Sequence, residues 1–257
     1  MMADNTHDQN DTREINYGDY LRLGELLSLQ APRSTPEHPD ELLFIVVHQA
    51  SELWFKVLLH EIDAMIAALQ RFDIMGALLG IRRVNALMDI VASQLSALDT
   101  LPPQRFAQFR TYLGSSSGSQ SLQFRAIEAA SGLRDPHFVQ AMLEHGPIPE
   151  SVAKMLARPT LQSLFEAVVT DANTTLEELY TGPAPTPLFL LAEGLLEYEQ
   201  HFARWRFLHV QLVERIIGPA TTGTGGTLGA RYLQRTVAQR FFPSLWAVRA
   251  KFYGAGR

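Results

Sequence analysis

The sequence predicts an all-α protein built as a bundle of long helices, and two observations support this fold class. Apolar residues recur with helical periodicity over about 40–72 and about 188–217, and both stretches are far longer than an ordinary strand. Nowhere do apolar and polar residues alternate between hairpin turn signals, as they do in half-buried strands. The chain of 257 residues, 46% of them hydrophobic, is long enough to bury a full core. We therefore predict one all-helical domain over 15–257.

The N-terminal region precedes this bundle. Residues 1–14 are polar, which predicts a disordered tail. The apolar spacing of the next segment, about 15–30, predicts a short helix with Tyr17, Tyr20 and several leucines on or near one face. The Ala31-Pro32 step ends this helix. So short an element cannot bury an apolar face by itself. We expect this arm to dock on the body of this chain or of another one.

Local start and stop signals predict the elements of the bundle in chain order. Pro39 and Asp40, the latter as N-cap, begin the first long helix. Pro102-Pro103 begins a later helix that carries Arg110, and a loop rich in glycine and serine follows it. In order, the predicted segments are helices over about 40–72, 73–98 and 103–110, the loop 114–121, a helix from 122, short helices and turns over 133–160, helices over 161–180 and 188–217, a glycine-rich stretch over 219–230 and a last helix over about 231–253.

Composition excludes several classes of function. The net charge of −5 and the pI near 5.9 leave no basic face for nucleic acid. The absence of cysteine excludes disulfides, thiolate nucleophiles, iron–sulfur clusters and cysteine-ligated zinc or haem. The first residues resemble no signal peptide, and we find no apolar run approaching the roughly 20 residues of a membrane span. We expect a soluble cytoplasmic protein without a membrane partner.

Two histidines are the best candidates for chemistry. His48 and His209 each lie within the apolar stripe of a long helix, and a neutral imidazole is costly to bury unless its nitrogens find partners. Each is either a core histidine satisfied by a hydrogen bond or part of a shared site. The spacing matches neither the HExxH zinc pattern nor the Glu-x-x-His pattern of di-iron bundles. Haem iron, which accepts one histidine and leaves its other face open, is the metal cofactor that remains compatible.

Two further features are ambiguous on their own. Arg110 follows Phe106 and Phe109 on a short helix, and it is either a surface arginine or a receptor that grips a carboxylate with two hydrogen bonds. The glycine-rich stretch 223–229 lacks the lysine of a phosphate-binding loop and follows no predicted strand, so the sequence does not favour phosphate binding there. Its glycines are compatible with a mobile lid over a ligand.

Taken together, the motifs resemble one family. The segments DELLFIVVHQASELWFKVLLHE, FRTYLGSSSGSQSLQFR, RWRFLHVQLVERIIG and GTGGTLGARYLQRT resemble, in this order, signature segments of the tryptophan 2,3-dioxygenase family. The segment INYGDYLRL resembles the N-terminal arm of that family. The resemblance runs from about Tyr17 to the C-terminal helix, which is nearly the whole chain.

The resemblance implies a helical homotetramer that encloses one haem b in each subunit. His209 matches the proximal iron ligand, and His48 matches the distal histidine that meets the indole N–H. Arg110 matches the arginine for the substrate carboxylate, and Thr224 the threonine for its ammonium group. The implied substrate-binding positions are Phe44, His48, Phe106, Arg110, Leu113, Thr224 and, reaching into a neighbouring subunit, Tyr17 and Tyr20. The implied cofactor-binding positions are His209, Ser117 and Gly118.

The implied reaction inserts both atoms of O2 across the indole C2–C3 bond of L-tryptophan. The product is N-formyl-L-kynurenine, and the reaction is the first step of tryptophan catabolism through the kynurenine pathway. Most of the catalysis would come from holding the indole beside the reacting oxygen in a pocket that excludes water.

Three departures from the family pattern leave a second interpretation open. Phe106 stands where bacterial relatives often have tyrosine, Ser119 stands where an aromatic residue is usual, and an apparent extra residue after His209 makes Thr222 a stand-in for Thr224. A smaller side chain at 119 leaves room for a substituted tryptophan such as β-methyl-tryptophan, which a haem monooxygenase would convert to a 2-oxindole. A haem-binding sensor or a purely structural helical protein is a third interpretation, although neither needs an amino-acid clamp.

Overall fold

The structure is a computed structural model that describes residues 15–134, 150–219 and 230–254, and within these ranges the regular elements are all helical. The predicted all-α fold is therefore confirmed. In chain order the helices are α1 Tyr17–Leu21, α2 Leu23–Leu26, α3 Glu41–Gln70, α4 Ile74–Ser93, α5 Leu95–Leu98, α6 Pro103–Arg110, the 3₁₀ turns Thr111–Leu113 and Gly118–Gln120, α7 Leu122–Ser131, α8 Glu150–Ala157, α9 Leu161–Asp171, α10 Leu176–Thr181, α11 Pro187–Ile217, α12 Ala230–Val237 and α13 Pro243–Gly254.

Three long helices form the centre of the fold. Helix α4 packs against both α3 and α11, and their facing side chains are fully buried in one apolar cluster, Leu58 and Ile62 of α3 and Leu191 and Leu195 of α11 among them. Two glycines set the distance between these helices. A Cβ at Gly80 would lie about 2.4 Å from Met65 Cγ, and one at Gly194 about 3.0 Å from the nearest atom of Ile81. At each glycine, a side chain of the neighbouring helix therefore packs directly against the glycine backbone.

The first long helix matches its prediction closely but begins differently at the side-chain level. Asp40 is its N-cap by position, yet no capping hydrogen bond from its side chain is present. Its carboxylate instead forms an ion pair with Arg105 of α6, in which Arg105 Nη2 donates to Asp40 Oδ1 at 2.8 Å. This pair fixes the start of α3 to α6. It was not visible in the sequence because it joins residues far apart in the chain.

The N-terminal arm comprises two short helices rather than one. Arg22 adopts a left-handed conformation with φ of 51°, which separates α1 from α2. The segment that follows is fastened to the start of α3 by the buried carboxylate of Glu41, which accepts from the backbone N–H of Arg33 at 2.7 Å and of Ser34 at 3.0 Å. Burial by itself would raise the pKa of Glu41, but a hydrogen bond from the Ser34 hydroxyl, together with these two backbone hydrogen bonds, lowers it. The base of the arm is thereby held on its own chain.

The predicted helix over 161–180 is two helices, α9 and α10. Asn173 lies between them in the left-handed region, with φ of 50°. Each helix begins with a reciprocal capping box, made by Thr160 with Ser163 and by Thr175 with Glu178. The prediction missed the break because the apolar periodicity continues across it.

The prediction of one last helix over about 231–253 is also wrong. It is broken into α12 and α13, and Pro243 is the first residue of α13 because it supplies no N–H for a helix interior. The buried carboxylate of Glu199 in α11 holds the connection. Its Oε2 accepts from the backbone N–H of Phe241 at 2.5 Å and of Phe242 at 2.8 Å, and its Oε1 accepts from Trp246 Nε1.

One helix conflicts with the expectation that no segment is apolar enough to cross a membrane. By length and composition α3 meets that criterion, and only 17% of its most apolar window is buried inside the chain. A core helix of a water-soluble protein passes the same test. The far half of α3 packs into the main core, whereas its first half borders a cavity, which contributes to the low buried share.

Candidate active site

A cavity of about 1090 Å³ lies between α3 and α11, and it brings together most of the residues that the sequence singled out. Helices α5, α6 and α7, the serine-rich loop and the base of the N-terminal arm form the other walls, and α12 adds two side chains. The predicted residues that line it are Phe44, His48, Phe106, Arg110, Ser117, Gly118 and His209. Its lining is mainly apolar with few polar groups, as is typical of sites that bind small molecules or cofactors.

His48 extends from α3 into this cavity with one ring nitrogen already satisfied. Its Nδ1 lies 2.7 Å from the backbone oxygen of Phe44, one turn earlier in the helix. Since a carbonyl oxygen can only accept, Nδ1 carries the proton and Nε2 keeps its lone pair in the neutral ring. Burial lowers the pKa of His48, against the opposing effects of the Phe44 hydrogen bond and the negative charge of Glu52. The neutral ring therefore offers the cavity a hydrogen-bond acceptor.

His209 lies on α11 and lines the same cavity. Its ring stacks on Trp205 with centroids 5.1 Å apart, and no hydrogen bond to its nitrogens is found within the described ranges. Burial, followed by repulsion from His48, lowers the pKa of His209 to about 4. The interpretation as a core histidine satisfied by a hydrogen bond fails for this residue. At neutral pH it is an uncharged imidazole with a lone pair available to a ligand.

An aromatic wall adjoins His48. The ring of Phe44 lies 4.2 Å from that of His48 between centroids, 5.5 Å from Phe106 and 5.8 Å from Phe109. Phe106 and Phe109 are themselves in edge contact at 5.2 Å, and both are buried. Phe44 and Phe106 of this wall line the cavity, so a planar apolar ligand would meet aromatic surface beside His48.

Arg110 ends α6 at the same wall. It is the last residue of that helix, one turn after Phe106, and its partly exposed side chain lines the cavity. A guanidinium bordering an apolar cavity is suited to a ligand that has an apolar body and a carboxylate end. The interpretation of Arg110 as an ordinary surface arginine therefore fits this placement poorly.

A second charged group in the cavity wall was not found from the sequence. Glu128 of α7 accepts from Arg125 Nη1 at 2.7 Å and from Arg206 Nη2 at 2.6 Å, and all three residues are buried. The cavity wall therefore contains a buried cluster of two guanidiniums that share one carboxylate. Only the i, i+3 spacing of Arg125 and Glu128 gave a local signal, because Arg206 comes from the distant helix α11.

Further lining residues come from the N-terminal arm, which is hydrogen-bonded to α3. Leu27, Leu29 and Gln30 border the cavity, and Gln30 Nε2 donates to Gln49 Oε1 of α3 at 2.6 Å. The arm thus covers part of the site of its own chain. Sequence reasoning predicted a docking face for this segment without identifying its location.

The remaining predicted residues are placed as follows. Leu113 packs against Leu101, Phe106 and Phe109 and is not among the residues that line the cavity. Tyr17 and Tyr20 are 75% and 76% exposed and lie away from the cavity of their own chain. The lid predicted over 223–229, together with Thr222 and Thr224, lies outside the described residues, as does the side chain of Ser119.

The donor set decides which cofactor these residues fit. In the described ranges, no group of three or more His, Cys, Asp or Glu side chains is arranged to hold a metal ion. The cavity offers two separate imidazoles on different helices, and neither ring nitrogen of His209 has a hydrogen-bond partner within the described ranges; the indole nitrogen of Trp205 beside it is likewise buried and without a partner. Haem needs one such protein ligand and an apolar slot, so the residues fit that group.

Comparisons with known proteins give one consistent result. Residues 1–159 and 174–252 match the model of the family described as Tryptophan 2,3-dioxygenase. A protein named tryptophan 2,3-dioxygenase from Kineococcus radiotolerans is 39% identical over 93% of this chain and 92% of its own length. Proteins of the same name from Herpetosiphon aurantiacus and Anaeromyxobacter dehalogenans are each 38% identical, over 93% and 91% of this chain and 99% and 95% of their own lengths.

Proposed function

The chain belongs to the tryptophan 2,3-dioxygenase family, and on that premise we propose that it is a haem-dependent dioxygenase that converts L-tryptophan and O2 to N-formyl-L-kynurenine. The observation that carries this proposal is the shared cavity of His48 and His209. One imidazole there is free to bind iron, and the other is free to accept a hydrogen bond. This division of roles is what an oxygenase acting on an N–H heterocycle requires.

The haem would be held chiefly by His209, whose lone pair is available because burial keeps the ring uncharged. Arg125 and Arg206 place two guanidiniums in the cavity wall, and guanidiniums are suited to bind the carboxylates of the porphyrin. Ser117 and Gly118, in the loop bordering the cavity, would pack beside the porphyrin. When bound, the iron would supply the activation of O2 that side chains cannot provide.

The protein's own residues would position the substrate. Arg110 would bind the carboxylate through paired hydrogen bonds, and Thr224, or Thr222 in its place, would bind the ammonium group. The indole would lie against Phe44 and its N–H would donate to Nε2 of His48. That hydrogen bond is supported by the tautomer, because the Phe44 carbonyl keeps the proton on Nδ1. Fixing the indole at both ends places its C2–C3 bond for reaction with little further motion.

The arm supports a further proposal, which is that the protein assembles as a homotetramer. Tyr17 and Tyr20 are three residues apart on the first turn of the arm, and both rings are largely exposed. Large exposed rings on so short a helix are explained if they enter a neighbouring subunit's site. Sedimentation analysis of the purified protein tests the assembly. A monomer at micromolar concentration would contradict it. The cytoplasmic location is proposed from the composition of the sequence alone.

The reaction is tested by product analysis under isotopically labelled O2. The purified protein should show a Soret band, shift it on addition of L-tryptophan, and form a product that carries two labelled oxygen atoms. Incorporation of one labelled atom, dependent on an added reductant, would replace this proposal with the monooxygenase that acts on substituted tryptophans. β-Methyl-tryptophan is the parallel substrate for that comparison. Purified protein that binds no haem would refute both enzyme assignments.

A further inference from the structure

A second cavity lies directly beside the first. It is a groove of about 640 Å³ between α11 and the end of α4 with α5, rimmed by the polar side chains of Ser96, Asp99, Arg204 and Arg215. The α11 residues in it, at 204, 208, 211 and 215, follow helical spacing and form one stripe of that helix. His209 and Val213 lie outside this stripe and face the main cavity. The groove and the main cavity are therefore on different sides of the same two turns of α11.

Two leucines line both spaces. Leu95, the first residue of α5, and Leu212 of α11 border the groove and the main cavity alike. They are 7% and 5% exposed and belong to one small apolar cluster that also contains Val47 and Leu98. The partition between solvent-facing groove and haem-sized cavity is therefore one layer of aliphatic side chains at this point.

The chemistry of this partition selects what can cross it. It presents no hydrogen-bonding group, so water and ions would lose their hydration in passing it. A small apolar gas has almost no hydration free energy to lose on crossing the partition. A gap for a diatomic gas needs only a rotamer change of one or both leucines and no movement of the helices. An aliphatic layer of this kind is permeable to O2 and resists an amino acid or bulk water.

A separate route matters once the substrate is bound. On the proposed function, on which this inference rests, L-tryptophan occupies the space between Phe44 and Arg110, and the arm covers an adjoining part of the cavity. Leu95 lies on α5, which carries none of the residues proposed to hold the substrate. We propose that Leu95 and Leu212 form an apolar gate through which O2 passes from the groove into the active-site cavity while the amino acid occupies the main entrance, which is the side of the cavity between Phe44 and Arg110.

The gate is tested by the rate at which carbon monoxide recombines with the ferrous haem protein after flash photolysis. The principal variant is Leu95→Phe, with Leu212→Phe as the second, and Leu208→Phe is the matched control because Leu208 lines the groove alone. With saturating L-tryptophan, each gate variant should slow bimolecular recombination by about tenfold, equivalent to ~1.4 kcal/mol added to the entry barrier. Without L-tryptophan the effect should be much smaller, because the main entrance is then open.

Several results would overturn the proposal. One is an unchanged rate in both gate variants with L-tryptophan bound. Another is equal slowing by Leu208→Phe, and a third is equal slowing with and without L-tryptophan, which would indicate general crowding. If the phenylalanine variants do not fold, Leu95→Val should instead accelerate recombination in the substrate complex, and a wild-type rate would refute the gate. The Soret band and its response to L-tryptophan, recorded first, show separately whether the proposed function holds.

Discussion

The neutral state of His209 makes a quantitative prediction about the haem-free protein. The pKa of this imidazole falls from 6.5 to about 4 on folding, because burial and the nearby His48 disfavour its charged form. Below the ordinary pKa, the unfolded chain binds a proton at this position and the native chain does not. Acid therefore favours the unfolded state, and the stability associated with this residue is lost as the pH falls from about 6.5 toward about 4.

The magnitude follows from the size of the pKa shift. At about pH 5 the native ring is still mostly neutral while the unfolded ring is mostly protonated, about 1.5 pH units below its pKa, which corresponds to a loss of about 2 kcal/mol in the free energy of unfolding. The substitution His209→Phe removes the titration and keeps a ring of similar size that can still stack on Trp205. The remaining histidines and carboxylates are common to both proteins, so their contributions cancel in the comparison.

The assay is urea unfolding of the haem-free wild type and of the variant at about pH 8 and about pH 5, followed by far-ultraviolet circular dichroism. We expect the wild type to lose about 2 kcal/mol more than His209→Phe between the two pH values. Equal losses in the two proteins would show that the ring is not held neutral by burial. That result would remove the reason for its availability to iron.

Three other substitutions test the remaining roles. We expect His209→Ala to lose haem during purification, measured as the ratio of Soret to protein absorbance, and normal haem content in this variant would contradict the ligand assignment. His48→Ala should keep its haem but raise the apparent KM roughly fivefold, because it loses a hydrogen bond worth about 1 kcal/mol. Arg110→Ala should cost about 2 to 5 kcal/mol of substrate binding, whereas Arg105→Ala, on the same helix but paired with Asp40, should leave KM unchanged. Phe106→Tyr adds a hydroxyl beside Arg110 and should lower KM by a similar fivefold, about 1 kcal/mol, and an unchanged KM would mean that the carboxylate lies elsewhere.

Periodicity and local caps predicted the parts of the fold that depend on neighbouring residues. The long helices α3 and α11 were predicted within a few residues, and both histidines were predicted to face inward from their apolar stripes. The shared cavity confirms that inference. The inward orientation of the two histidines could be predicted without knowing how the helices cross, because the apolar stripe of each helix had to face the interior.

The features that were missed depend on residues far apart in the chain. The division of the last helix depends on Glu199, a buried carboxylate whose partners lie more than forty residues later. The charged wall pairs Glu128 with Arg206 across two helices. Leu113 was predicted to line the site but turns into a small apolar cluster, because the 3₁₀ turn after α6 directs it toward Leu101 and Phe109. None of these partners has a signature in local spacing.

The close contacts at Gly80 and Gly194 bear on how the active site can respond to its ligands. Helices α3 and α11 carry the two imidazoles, and both pack closely against α4, with a severe clash expected for a methyl group at Gly80 and a tight contact for one at Gly194. Such a block cannot widen or slide without breaking its tightest packing. These contacts lie 17 residues from His48 along α3 and 15 residues from His209 along α11, so they hold the part of the helix block that is remote from the cavity. We therefore expect the response to a ligand to fall at the cavity end, where the arm, the serine-rich loop and α12 border the site. Ligand binding would then rearrange the edges of the site and leave the packed centre of the helix bundle unchanged.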